Sequence, residues 1–320
     1  MTVSNVVNER PGVSESTRKR VLEVASAMGY VPNLSARGLA RGRTNLVGVV
    51  THDLTSQYAL EIVRGIADEL AAAELEALIS ATYQNSARER ERVAFLTQDI
   101  VDGLILIAPV LEPETLEVLQ SRNRPTVVID PRRIDIDLPR VTADNYHGTR
   151  AATEHLIELG HRRIAYIAGD PDFDSSSNRL RGYYDALRLA GIEVDDRLIV
   201  QGDFSRASGA HLAEALLAND PPTALVAAAD VMALGAIDAA RAAGLRVPSD
   251  LSVVGFDDIP QAEESYPKLT TVRQPLHEMG QTGARMLLSL IDGKRPLLEH
   301  VEFPTSLVKR ATTTAPGSTA

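Results

Sequence analysis

From Leu46 onward the chain alternates short, β-rich apolar runs with longer helical stretches, and no other feature constrains its fold as strongly. The runs are LVGVV (46–50), EALISA (76–81), GLILIA (103–108), TVVID (126–130), RIAYIAG (163–169), ALVAAA (224–229) and LSVVGF (251–256). Helical spacing fills 58–73, 87–100, 145–159, 176–190, 205–218 and 230–243. A later stretch, 275–291, puts Leu276, Met279, Gly280, Gly283 and Leu287 on one face. Strands that are apolar throughout belong in parallel sheets covered by helices on both faces. There are more such units than one sheet comfortably holds, and 320 residues at 44% hydrophobic content suffice for two. The expected fold class is α/β, with two doubly wound parallel-sheet subdomains.

The first 45 residues follow another pattern. A short helix over 2–8 ends at Glu9-Arg10-Pro11-Gly12, and Ser14 looks like the N-cap of a second. That second helix carries Val21, Leu22, Val24, Ala25 and Met28 at helical spacing and stops at Gly29. A brief segment, 33–41, is closed by Gly42. Seven basic and three acidic residues give this head a net +4, which leaves −14 for the rest of a chain whose net charge is −10. A basic head on an acidic body suits a head that meets a polyanion and a body that does not. No apolar run approaches the ~20 residues of a membrane-spanning helix. No secretory signal is visible at the start, and the absence of Cys excludes disulfides and thiolate metal sites. A cytoplasmic protein is expected, with no membrane partner.

A doubly wound fold invites an enzyme reading, but its signatures are missing. There is no G-x-G-x-x-G after the first strand, no G-x-x-x-x-G-K-[ST], no G-x-S-x-G and no H-E-x-x-H. His147, His155 and His161 are not at an i, i+4 ligand spacing. The expectation is no catalytic residue, no metal and no cofactor.

Ligands of open α/β sheets bind outside the carboxyl ends of the strands. Strand 46–50 leads to Thr51, His52, Asp53 and then Ser56-Gln57-Tyr58; strand 163–168 leads to Asp172, Ser175 and Arg179. Strands 224–228 and 251–256 end at Asp230 and Asp257. Carboxylates accept from hydroxyl pairs, a guanidinium donates in a fork, and an aromatic face covers an apolar side. Together they suit a small, neutral, polyhydroxylated ligand. Taken singly, each Asp or Arg is as easily a helix cap or an ion-pair partner; their shared place at strand ends favours a site.

Four stretches resemble the lactose/galactose repressor (LacI/GalR) family of bacterial transcription regulators. They are TVSNVVNERPGVSESTRKRV (2–21), GYVPNLSARGLARGRTNLVGVV (29–50), DNYHGTRAATEHLIELGHRRIAYIAG (144–169) and VPSDLSVVGFDDIP with LTTVRQP (247–275). The resemblance implies a helix-turn-helix head, a hinge helix, a body like the sugar-binding proteins of the periplasm, and a homodimer on near-palindromic operator DNA. Thr2, Ser4 and Asn5 match positions that face phosphates or base edges. Met1 falls just inside the recognition helix, so the expectation is a partial helix-turn-helix here and a true start upstream.

The hinge segment beginning at Asn33 is too short to persist alone, and Gly38 costs it about 1 kcal/mol against Ala. The resemblance implies that Leu39 wedges into the minor groove, Ala36 lets two hinge helices approach, and Arg37, Arg41 and Arg43 meet phosphates. For the effector it implies Arg179, Asp230 and Asp257 as polar contacts, Tyr58 and Phe204 as walls, and Asp144 as an acidic cleft position; strand-end placement adds Ser175. Ala229 stands where many relatives have Asn. A sugar or polyol is the expected effector, and a purine is the other candidate.

The expected division is a head over 1–32, hinge and linker over 33–45, an effector-binding and dimerisation body over 46–311, and a disordered tail over 312–320. The expected function is a ligand-controlled transcriptional repressor. The alternatives are an effector-binding dimer that does not read DNA, a plain sugar-binding receptor, and an enzyme.

Overall fold

The computed structural model describes residues 2–7, 11–29, 43–133 and 135–317. The hinge residues Asn33, Ala36, Arg37 and Leu39 lie outside the described residues, as do 318–320.

The head consists of α1 (Thr2–Val7) and α2 (Glu15–Ala27). Ser14 caps α2 by accepting from the Thr17 amide, and Val6, 2% exposed, is the one described head residue that is buried. Val3, Leu22, Val24 and Met28 are exposed.

The body has two lobes. In the first, β1 (Leu46–Thr51), β2 (Glu76–Ala81), β3 (Gly103–Ile107), β4 (Thr126–Ile129), β5 (Arg140–Ala143) and β11 (His300–Phe303) form one sheet in the order β11-β5-β4-β3-β1-β2. All of its pairings are parallel. Its helices are α3 (Gln57–Ala72), α4 (Ser86–Leu96), α5 (Pro113–Arg122) and α11 (Leu276–Ile291). Apolar clusters fill both faces, with Ile62, Ile66, Ile105 and Met279 in one and Val93, Leu96, Leu104 and Leu106 in the other. This two-sided burial is why β1, β3 and β4 read as unbroken apolar runs. β2 reads the same way, yet it is an edge strand with Leu78 and Ile79 partly exposed.

In the second lobe, β6 (Ile164–Ala168), β7 (Ile199–Gln201), β8 (Ala224–Ala227), β9 (Ser252–Asp257), β10 (Thr270–Arg273) and β12 (Ser306–Val308) are ordered β12-β10-β9-β8-β6-β7. Only β12 runs antiparallel. Its helices are α6 (Asn145–Glu158), α7 (Asp174–Leu189), α8 (Arg206–Ala218), α9 (Asp230–Ala242) and α10 (Pro260–Glu264).

Two consequences of this topology position the site. Strand order reverses at β1/β3 in one sheet and at β6/β8 in the other, and a crevice opens at the carboxyl ends of strands at each reversal. The chain also crosses between lobes three times: from β5 to α6 at Asp144, from β10 to α11 at Gln274-Pro275, and from β11 to β12 at Pro304-Thr305. The crossings are bonded to one another, since the Asp144 amide donates to the Phe303 carbonyl at 2.8 Å and Thr305 Oγ1 to the Asp144 carbonyl at 2.8 Å. The returning α11 lies backbone to backbone on α3. A Cβ on Gly65 would stand 2.0 Å from the His277 carbonyl, and one on Gly280 would stand 2.1 Å from that of Ile62.

The disorder expected from residue 312 does not hold for 312–317. The start of the tail is an ordered strap: Thr312 is fully buried, its hydroxyl donating to the Val253 carbonyl at 2.7 Å and accepting from the Thr270 amide at 2.8 Å. His161 Nε2 lies 2.8 Å from the Thr314 carbonyl oxygen. A run of small polar residues reads as a loose tail until a partner groove supplies those bonds. Arg43, expected at a phosphate, here pairs with Asp292 of the body at 3.1 Å. Among the described residues no helix is long and apolar enough to cross a membrane.

Candidate functional site

The facing strand ends of the two lobes enclose a cavity of about 640 Å³, counted out to its mouth. Without the solvent-filled mouth the enclosed space is about 100 Å³, below the roughly 300–1,000 Å³ of most small-ligand sites.

The second lobe supplies a rigid half. Ser175 and Arg179 stand four residues apart on α7 and so share one face. Arg179 is 3% exposed, and its Nε donates to Asn145 Oδ1 at 2.7 Å, beside the first crossing. Its Nη1 donates to the Ala228 carbonyl and lies 3.7 Å from Asp257 Oδ1. The guanidinium sits 3.8 Å from the centroid of the Phe256 ring, a contact that holds the cation without using up its donors.

Asp257, the last residue of β9, adopts φ +119°, a conformation rare for a side-chain-bearing residue. Gln274, in the second crossing, donates to Asp257 Oδ1 at 2.7 Å. Burial raises the Asp257 carboxyl to about 7, with Arg179 opposing the shift. Phe204 takes φ +62° and lays its ring over Gly169, where a Cβ would stand 1.9 Å from it. Phe173 meets that ring edge-on at 5.9 Å, which completes an aromatic wall.

The first lobe adds His52, just past β1, then Gln57 and Tyr58 at the start of α3, and Asp130, just past β4. The Tyr58 hydroxyl donates to Asp130 Oδ2 at 2.9 Å. Burial raises the carboxyl of Asp130 and, foremost, holds the Tyr58 phenol well above its ordinary value, so the phenol is a neutral donor. Burial also lowers His52, and its Nδ1 has no hydrogen-bond partner among the described residues.

Tyr58, Ser175, Arg179, Phe204 and Asp257 thus line one cavity. Asp230 and Asp144 do not. Asp230 is fully buried beneath the floor, accepting from the Ile259 amide at 3.0 Å and from the Thr271 hydroxyl. Burial holds its carboxyl well above the ordinary value. It anchors the loop that follows Asp257. Asp144 is the N-cap of α6, bonded to the His147 amide at 3.1 Å and ring at 2.8 Å. A helix cap and a ligand contact both call for a short carboxylate, so residue type could not separate them.

Asp130 and Phe173 were missed by the sequence reading. Asp130 closes the run TVVID at a strand's carboxyl end, the same signal that singled out Asp257. Phe173 lies in an irregular loop and carries no local signal. Among the described residues no cluster of His, Asp and Glu could hold a metal.

In the head, Thr2 is exposed and Asn5 half-buried on α1, while the Ser4 side chain lies outside the description.

Fold and cavity together define a two-lobed, small-ligand-binding body joined to a small helical head. Residues 1–33 match the family described as bacterial regulatory proteins, lacI family, and residues 153–313 match the periplasmic binding protein-like domain. The chain is 35% identical to the HTH-type transcriptional regulator DegA of Bacillus subtilis (strain 168), over 98% of this chain and 94% of that protein. It also resembles the crystal structure of the lac repressor dimer bound to operator and the anti-inducer ONPF, with TM-score 0.87 and 33% identity over 98% of this chain and 95% of that one. The transcriptional regulator CelR–cellobiose complex matches with TM-score 0.78 and 33% identity, over 97% and 94% of the two chains. The chain belongs to the lacI family of bacterial transcriptional regulators.

Proposed function

We propose that this protein is a cytoplasmic, homodimeric repressor that binds near-palindromic operator DNA under the control of a neutral sugar or polyol held between its lobes. The head over 1–32 reads the operator, the hinge over 33–45 responds to lobe closure, and the body from residue 46 binds the effector. Asn5 and Thr2 are the DNA contacts proposed within the described residues.

The observation that carries the reading is the polar composition of the cavity. Two buried carboxylates, Asp130 and Asp257, face it from opposite lobes with a single guanidinium, Arg179, and an aromatic wall of Phe173 and Phe204. Hydroxyl pairs satisfy the carboxylates, the guanidinium fork donates to ring or hydroxyl oxygens, and the apolar face of a sugar lies on the phenyl rings. When both carboxyls are ionised they outweigh the one guanidinium and disfavour a phosphorylated or acidic effector. The cellobiose held by the related CelR is of the chemical class this composition suits. Each polar group has a binding role, and none is asked to perform a chemical step.

Thermal unfolding of the full chain against a panel of neutral mono- and disaccharides, sugar phosphates and purines tests this. A ligand at about a hundred times its Kd adds about 2.7 kcal/mol to stability. At least one neutral sugar is expected to raise the midpoint while its phosphorylated form does not. A response to purines alone would replace the sugar reading.

A further inference from the structure

A single arginine of the first lobe reaches across the mouth of the cavity and holds four residues of the 170–174 loop of the second. Arg132 follows β4 and donates from Nη1 to Asp172 Oδ2 at 3.0 Å. Its Nη2 lies 3.4 Å from Asp170 Oδ2. Its guanidinium stands 4.6 Å from the centroid of the Phe173 ring, and its carbonyl accepts from the Asp174 amide at 2.7 Å. The Arg132 side chain is 13% exposed, while Asp170 is 23% and Asp172 73% exposed, so the inner contacts are shielded and the outer one is open to water and salt. Phe173 is the part of this loop that faces inward, where it builds the aromatic wall with Phe204.

We propose that Arg132 is a cross-lobe latch that positions Phe173, so that the aromatic wall of the cavity is complete only when the lobes are closed. Within the loop itself the backbone bonds are short in range, the Phe173 amide donating to the Asp170 carbonyl at 3.2 Å and the Asp172 amide to Asp170 Oδ1 at 3.0 Å. The loop is irregular, and α7, which begins at Asp174, lacks a side-chain N-cap bond at Phe173. Opening the lobes removes the acceptor of the Asp174 amide and the cation over the ring in one movement. Because the latch is partly ionic, closure weakens as salt rises, whereas closure driven by apolar contact does not. The consequence for the effector rests on the ligand reading above; the latch itself does not, and can be tested with no ligand present.

The chain contains no Cys, so two introduced cysteines label it without background. Glu117→Cys on α5 and Glu214→Cys on α8 are exposed positions, one on each lobe. The distance distribution between spin labels there, in the ligand-free full chain, is compared for the parent, Arg132→Met and Arg132→Lys. The parent is expected to show a dominant short-distance population that shrinks between about 0.05 and 1 M NaCl. Arg132→Met should lower the closed-to-open ratio about fivefold at low salt and lose the salt response, while Arg132→Lys retains part of both. Should Arg132→Met fail to fold, Asp172→Asn removes one arm of the latch at an exposed side chain and is expected to lower the ratio about twofold. Distributions unchanged by these substitutions, or an equal salt response in parent and Arg132→Met, would overturn the latch. A sugar that then binds Arg132→Met more weakly and leaves it faster ties the latch to the effector. If no sugar binds either protein, the ligand reading fails while the distance result stands.

Discussion

The two lobes contribute unequal halves to one cavity. In the second lobe every charged group is already committed: Arg179 to Asn145 and the Ala228 carbonyl, Asp257 to Gln274, and both to the segments that cross between lobes. In the first lobe only Tyr58 and Asp130 are bonded to each other, and the His52 ring nitrogen has no partner among the described residues. The difference teaches an order of events. A ligand that enters while the lobes are open meets the preorganised charged groups of the second lobe, and the first lobe then recloses over it with groups that gain their partners from the ligand. Preorganisation limits what binding must spend on ordering side chains. Since the preorganised groups hang on the crossings, occupancy bears directly on the segments that set lobe geometry.

Substitutions separate the halves. The largest effect is expected at Arg179, which is bonded to the first crossing through Asn145 and lies against Asp257, itself bonded to the second. Arg179→Met leaves Asp257 without its counter-charge and Asn145 without its donor, and should weaken sugar binding by at least about a hundredfold in calorimetry.

Asp257→Asn comes next, at about thirtyfold, and should change the pH response as well as the affinity. The folded value near 7 lies above the ordinary carboxylate value of about 3.9, so the folded protein holds this proton the more tightly. The stability it contributes is full below about pH 4 and is lost as pH rises through about 7. A ligand whose hydroxyls donate to the ionised form reverses that bias. Affinity in the parent should therefore be up to about tenfold higher at about pH 8 than at about pH 6, and flat over that range in Asp257→Asn.

Tyr58→Phe removes one donor from the less committed lobe and should cost about fivefold, from roughly 1 kcal/mol for one hydrogen bond. An effect as large as that of Arg179→Met would erase the proposed asymmetry. Thr312→Val separates stability from binding. It deletes two buried hydrogen bonds of the strap and should lower the denaturation free energy by about 1–3 kcal/mol while leaving sugar affinity unchanged.

What the sequence disclosed follows the same physical division. Central strands such as GLILIA and ALVAAA are legible because burial on both faces demands unbroken apolar runs. The three- and four-residue strands β5, β7, β10, β11 and β12 are too short to show a period, and their pairing depends on where the chain crosses between lobes. Strand-end placement located Tyr58, Ser175, Arg179 and Asp257, whose side chains follow directly from the topology. It equally pointed to Asp230, which the first turn of α9 carries beneath the floor, a direction that a strand-end position leaves open. Phe173 depends on a contact with Arg132, 41 residues away and in the other lobe, and no local pattern encodes that.

The central claim is that a ligand between the lobes controls the head. The direct test is fluorescence anisotropy of the full chain on an operator selected from random duplex DNA, with and without the sugar that raises the unfolding midpoint, in the parent and in Arg179→Met. A change in operator affinity of about tenfold or more is expected in the parent, within the usual 1–3 kcal/mol of allosteric coupling, and none in the variant. Sugar binding in the parent with unchanged operator affinity would contradict the claim.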